Sequence, residues 1–586
     1  MANSLACLRP VALIRHWQLA GLVSLRHWQL GGLVLLAHLG CHAQMQGEVT
    51  VAILPGDTLI GISQRYLDEP RRWPELKRLN HIKVDTRLQP GTQMRIPRAW
   101  LRWSERAVAI TYVQGQVKGV LVGVNKTLSA GMQLRPGDSF DTGASGALTL
   151  RLFDGATLVF PPRTQAVLGR SHEVQGTALR DTAIELKNGS VDSAVPPLGD
   201  PASRFEIRTP RVVTAVRGTR FRVNADGDIS RHEVVSGVVA VLGGASSNGP
   251  SEASSGAPGA ASGDARLNEA QGLRAEAGRL GTPVRLLPAA DVSNLPRRIE
   301  RTAQNLSVPP LTGAQGWHWQ VAADTAFNQL LQDEQTTPPS WLLTGLPDGD
   351  YQLRVRASDD QQLEGLDAQV AIKLRARPEP PVLIAPGSGD SVVAASELVW
   401  TEGINAAGYQ VQVARDALFA DLVLDRTPVA GNHLVLDAGW PPGPYHWRVA
   451  TLRPTPPAGG VRSPFEEGPR GPFGDSATFT LLPPSVMAPP QVSAAGLQLA
   501  WSGPPGFSHK VQLDSDASFA RPQVDQVVPG ASLELPTPAP GVYFVRTQVM
   551  LPGGRVGAWS SPQSFEVPKK PPWGWLLLLL LLLPLL

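Results

Sequence analysis

Only two cysteines occur in 586 residues, Cys7 and Cys41, and both fall within the first 43. If that stretch is an export leader that is removed, disulfide scaffolding, thiolate metal sites and thiol catalysis are all excluded. Aromatic residues make up 6% of the chain and charged residues 18%, and the formal net charge is only +3. So small an excess for this length implies no polyanion, and no nucleic acid, as partner. Seven histidines lie beyond the leader, scattered with no His-x-His or His-Glu-x-x-His spacing, so no metal site is expected. There is no Gly-x-Ser-x-Gly elbow, P-loop or dinucleotide fingerprint. No catalytic residue is singled out, no cofactor is expected, and the chain reads as a non-enzyme.

Proline (54) and glycine (58) are abundant instead, which points to a mostly β, turn-rich chain. Its length suggests about four domains. Residues 1–43 read as a signal peptide: Arg9, Arg15 and Arg26 supply charge, and Leu30 to Leu39 is an apolar run before Cys41-His42-Ala43. Lipoprotein cleavage at Cys41 is the alternative reading of the same stretch. The expected localisation is the periplasm or cell envelope.

Residues 48–98 carry the clearest local pattern. Val49 to Leu54 is a β-rich run broken by Pro55-Gly56, and Asp57 and Thr58 can cap a following helix whose apolar face is Leu59, Ile62 and Tyr66. A second helix is expected over Trp73 to Leu79 with Leu76 and Leu79 inward, Asn80 as its stop, a turn at Gln89-Pro90-Gly91 and a strand at Met94-Arg95-Ile96. This βααβ segment resembles the LysM domain, a peptidoglycan- and chitin-binding module. The resemblance implies a shallow groove for N-acetylglucosamine-containing glycan. Gly56, Asp57, Thr58, Leu59 and Ile60 would form one side, and Asn80, His81, Ile82 and Lys83 the other.

From residue 108 to 280 short apolar runs alternate with glycine turns. Asp154-Gly155 separates Leu148–Phe153 from Thr157–Phe160, a hairpin signal. Lys187-Asn188-Gly189 and Ser236-Gly237 read as repeats of that device. Phe205-Glu206-Ile207-Arg208-Thr209-Pro210 followed by Val216-Arg217-Gly218-Thr219-Arg220-Phe221 resembles the FecR domain, which in regulators of that name is periplasmic and relays a signal. Arg217 is expected to pin the tight glycine turn. Residues 243–265 are nearly all Gly, Ala, Ser and Pro, a flexible insertion. Residues 281–305 read as a polar connector with room for a short helix.

Three copies of one unit follow, over 306–377, 380–482 and 488–568. Asp324, Asp416 and Asp516 each precede a phenylalanine by three residues (Phe327, Phe419, Phe519). Tyr351, Tyr445 and Tyr543 follow those aspartates by 27, 29 and 27 residues, and Arg354, Arg448 and Arg546 follow the tyrosines by three. The copies look like fibronectin type III or similar immunoglobulin-like sandwiches, which implies a tyrosine corner in each. Trp400 and Trp501 are expected in cores. Trp317, Trp319, Tyr445 and Trp447 are better core candidates than sugar-stacking candidates, because they alternate inward.

The chain closes with Lys569-Lys570 and a leucine-rich tail. That tail is too short to span a bilayer, and membrane contact is expected through 573–586. The whole reads as a cell-envelope adaptor that binds peptidoglycan and presents the other domains to an envelope protein. The alternatives are a FecR-type signalling component and a wall hydrolase with an unrecognised site.

Overall fold

The computed structural model describes residues 47–569 apart from 85–87, 201, 244–262, 438, 456–462 and 494. The leader with both cysteines, the tail from residue 570 and almost all of the 243–265 insertion lie outside the described residues. Among the described residues, no helix is long and apolar enough to cross a membrane. Strands cover 51% of the described residues and helices 5%, so the fold is mostly β and multidomain.

The first unit is built as its sequence dictates. Strand β1 (Glu48–Ala52) pairs antiparallel with β2 (Gln93–Pro97), and helices α1 (Leu59–Tyr66) and α2 (Trp73–Leu79) lie between them in the chain. Leu59, Ile62, Tyr66 and Leu76 are buried as their spacing requires, while Leu79 is half-buried. So small a unit buries little by itself. Its core is completed from outside, because Val174 and Leu179 of the next domain belong to the same apolar cluster. Arg98, 2% exposed, seals the junction: its guanidinium lies 3.2 Å from Asp181, donates to the Ala202 carbonyl at 2.6 Å and stacks on Trp103.

The second domain wraps strands from Trp103 to Arg285 into a closed arrangement around one large core. The Asp154-Gly155 hairpin forms, with Leu150 opposite Leu158 and Gly155 at φ +87°. The other two expected hairpins do not. Strand Arg180–Ala194 runs straight through Lys187-Asn188-Gly189. Its first half pairs with Gln165–Val174, and its second half crosses to pair with Arg220–Asp226. Gly189 (φ +88°) marks the crossing, where a Cβ would lie 2.5 Å from the Thr164 Cα. Ser236-Gly237 does turn the chain, but the flanking strands Ile229–Ser236 and Val239–Gly243 pair with different partners. Arg217 is exposed, so it does not pin its turn. Gly218 does, with φ +77° and its backbone packed on Pro197. Val239–Gly243 and Asp264–Leu267, which flank the insertion, pair with each other.

The expected polar connector is a packed segment without a helix. Ala290, Leu295 and Ile299 are buried in the core of the first sandwich, because this stretch covers one end of that core. Each of the three repeats is two sheets around its own core. Trp317, Trp319, Trp400, Tyr445, Trp447 and Trp501 are all under 5% exposed, so they are core side chains and offer no sugar platform. The tyrosine corner is present in the first two copies: Tyr351 donates to the Pro347 carbonyl and Tyr445 to that of Pro441.

Candidate functional site

The two loops expected to form the glycan groove open α1 and close α2. In the first, the Asp57 carboxylate accepts from the Leu54 amide at 2.8 Å and pairs with Arg65 at 3.2 Å. Thr58 is the N-cap of α1 and accepts from the Gly61 amide at 3.0 Å. Both side chains therefore shape the loop. Leu59 is wholly buried, so its side chain belongs to the core and not to the groove, contrary to the sequence expectation. Gly56 holds φ +87° in open space, and Ile60 is 50% exposed.

In the second loop, Asn80 is committed to the fold. Its side chain donates to the carbonyls of Leu76 and Arg95 and accepts from the Arg95 amide at 2.6 Å, tying the end of α2 to β2. His81 takes a left-handed conformation (φ +53°) and is exposed, as is Lys83, while Ile82 is half-buried against the core. The groove residues thus divide in two. Asp57, Thr58, Leu59 and Asn80 set the backbone, and Gly56, Ile60, His81, Ile82 and Lys83 supply its accessible surface. Polar backbone beside a small apolar patch is the chemistry an N-acetyl sugar requires.

A second cluster escaped the sequence reading altogether. Where the second domain meets the first sandwich, Arg354 and Arg356 both bind Asp192, at 2.8 and 2.7 Å. Arg356 also holds Glu364 (2.7 Å) and Asp367 (2.6 Å), and Arg222 reaches Asp367 and Glu233. His318 bridges Glu364 and Asp333 at 2.7 and 2.9 Å. Burial alone would lower the His318 pKa, but those two carboxylates raise it to about 10. Burial pushes Glu233 up to about 7 against the pull of Arg222. Despite burial, the neighbouring guanidinia, with His318 for Glu364, hold Asp192, Glu364 and Asp367 below the usual carboxylate range. Of these residues, the sequence offers Arg354 only as part of the repeat and Arg222 only as the residue after Phe221 in the FecR-like signature. The cluster draws Asp192, Arg222 and Glu233 of one domain to Arg354, Arg356, Glu364 and Asp367 of another, with no spacing that a motif could reveal. Among the described residues, no three His, Cys, Asp or Glu side chains gather as a metal site.

Comparison with known families places the domains. Residues 53–97 match the LysM domain, and residues 138–240 match the FecR protein family. The search of curated proteins found no match. Among solved structures, a protein described as an anti-sigma factor from Parabacteroides distasonis is 16% identical over 25% of this chain, with a TM-score of 0.19, and the chain spans 59% of its length. The FN1–FN3 domains of chicken CNTN1 are 16% identical over 46% of this chain and 96% of theirs, also at 0.19.

Proposed function

We propose that this protein is a non-catalytic component of the bacterial cell envelope that holds peptidoglycan through its LysM domain. The second domain and the sandwiches would then stand ready for an envelope protein partner. One observation carries the reading: the LysM match coincides with two loops whose side chains fix a polar backbone and leave Ile60, His81 and Lys83 accessible. The leader pattern and the LysM match support a periplasmic or envelope placement. The FecR match supports a signalling role as the second reading, in which the partner completes a relay.

Hydrogen–deuterium exchange on the full chain, with and without an N-acetylglucosamine oligomer, tests the binding assignment. The oligomer is expected to slow exchange in segments 54–60 and 80–84. Unchanged exchange in both segments overturns the assignment. Zymography on purified wall tests the absence of catalysis, and a clearing band would restore the hydrolase reading.

A further inference from the structure

A cleft of about 310 Å³ opens between the second domain and the first sandwich, away from the LysM groove. That volume is at the lower end for small-molecule sites. Its walls come from two domains locked together by the charge cluster around Asp192 and Arg356, so the cleft is preformed. Thr149 donating to the Asn328 carbonyl adds a further tie across the junction.

The wall chemistry narrows the ligand. Trp341 lies half-buried at the rim of the sandwich core, 6.2 Å from Trp319, and gives the cleft an aromatic surface. Gln114 accepts from Tyr112 with its Oε1, which leaves its Nε2 to donate. Gln332 is the converse: its Nε2 donates to the Thr344 carbonyl, and its buried Oε1 has no partner. That oxygen is closed to solvent, so Gln332 stiffens the wall and the Gln114 amide is the group that offers a ligand a hydrogen bond. Arg163 and Glu334 are exposed at the cleft with opposite charges, and the other ionisable lining residue, Asp333, is paired with His318. Arg163 sits there in a left-handed conformation (φ +62°), a strain of the kind found at ligand clamps.

An anion would meet Glu334, a cation would meet Arg163, and an apolar ligand would strand the Gln114 amide. A neutral molecule rich in hydroxyls satisfies all of these groups, because each hydroxyl both donates and accepts. Its ring C–H face would lie on Trp341. We infer that this cleft is a second saccharide site, one that binds a short neutral oligosaccharide between the two domains. The choice of an N-acetylglucosamine oligomer as probe rests on the wall-binding reading above.

Calorimetric titration of the full chain with the N-acetylglucosamine trimer tests it. Two sites are expected. Glu334→Ala, at an exposed position, and Trp341→Ala should each remove one site or weaken it at least tenfold. The pair Ile60→Glu and Lys83→Glu should remove the other. An unchanged unfolding midpoint for Glu334→Ala separates lost binding from lost structure. A single site abolished by the groove pair overturns the cleft. So do two sites untouched by both cleft variants, or no binding at all. A single site abolished by Glu334→Ala and unaffected by the groove pair keeps the cleft and overturns the groove.

Discussion

Arg354, Arg448 and Arg546 hold the same place in the three repeats and meet the same need in two ways. Each stacks on the phenylalanine of its own copy, at 4.1, 3.9 and 4.1 Å, and each is received by a glutamine Oε1 (Gln320, Gln412, Gln512). The phenylalanines all adopt left-handed backbone (φ +58°, +60°, +54°), held by the aspartate turn before them. In the second and third copies a further aromatic, Phe473 or Trp559, covers the other face of the arginine. In the first copy Arg354 is met by Asp192 of the neighbouring domain. Arg546→Ala should destabilise the third sandwich by about 2 kcal/mol, through lost stacking and an unpaired Gln512. Arg546→Lys should recover only part of that, because an ammonium cannot stack as a plane. Urea unfolding of the variants measures both.

The ionisation of the interdomain cluster has a definite sign. His318 and Glu233 have folded values raised above their ordinary 6.5 and 4.5, so what they contribute is full below those values. For Glu233 the contribution is lost as pH rises through about 7, and for His318 as it rises through about 10. Asp192, Glu364 and Asp367 are depressed, so theirs is present above the ordinary carboxylate range and lost in acid. The junction should therefore be tightest at mildly acidic pH and loosen toward pH 10. The midpoint of thermal unfolding should fall over that alkaline span, and His318→Gln should flatten the fall. A midpoint equally steep in the variant would contradict this account.

At the scale of elements, local chemistry spoke for local structure. Thr58, Pro74, Asn80 and Asp154-Gly155 placed two helices and a hairpin because a cap or a turn is decided by its own few residues. Lys187-Asn188-Gly189 misled for the same reason. A glycine at positive φ fits a turn, but it equally fits a strand that must pass tightly against Thr164 while changing partners. Only the rest of the sheet distinguishes the two. Gly189→Ala should thus cost at least about 2 kcal/mol, seen as a lowered unfolding midpoint. The same substitution at Gly227, where a side chain meets open space, should cost less. Among the candidate groove residues, the Leu59 and Asn80 side chains serve the fold. Spacing could not say which side chains the core would claim.

For the whole molecule, the domains are less separable than their sequence signatures suggest. The LysM unit borrows Val174 and Leu179 for its core and anchors on Asp181 through Arg98. Arg98→Ala should cost about 3–5 kcal/mol, the penalty for breaking a buried pair. Excising the unit would expose that apolar seam, so groove substitutions are a cleaner probe of binding than truncation. The decisive measurement is co-sedimentation of the full chain with purified peptidoglycan sacculi, beside the double variant Ile60→Glu, Lys83→Glu. The unaltered protein is predicted to pellet with the sacculi while the variant stays in the supernatant with its unfolding midpoint unchanged. If the unaltered protein stays soluble, or the variant pellets equally well, the LysM groove is not what holds this protein to the wall.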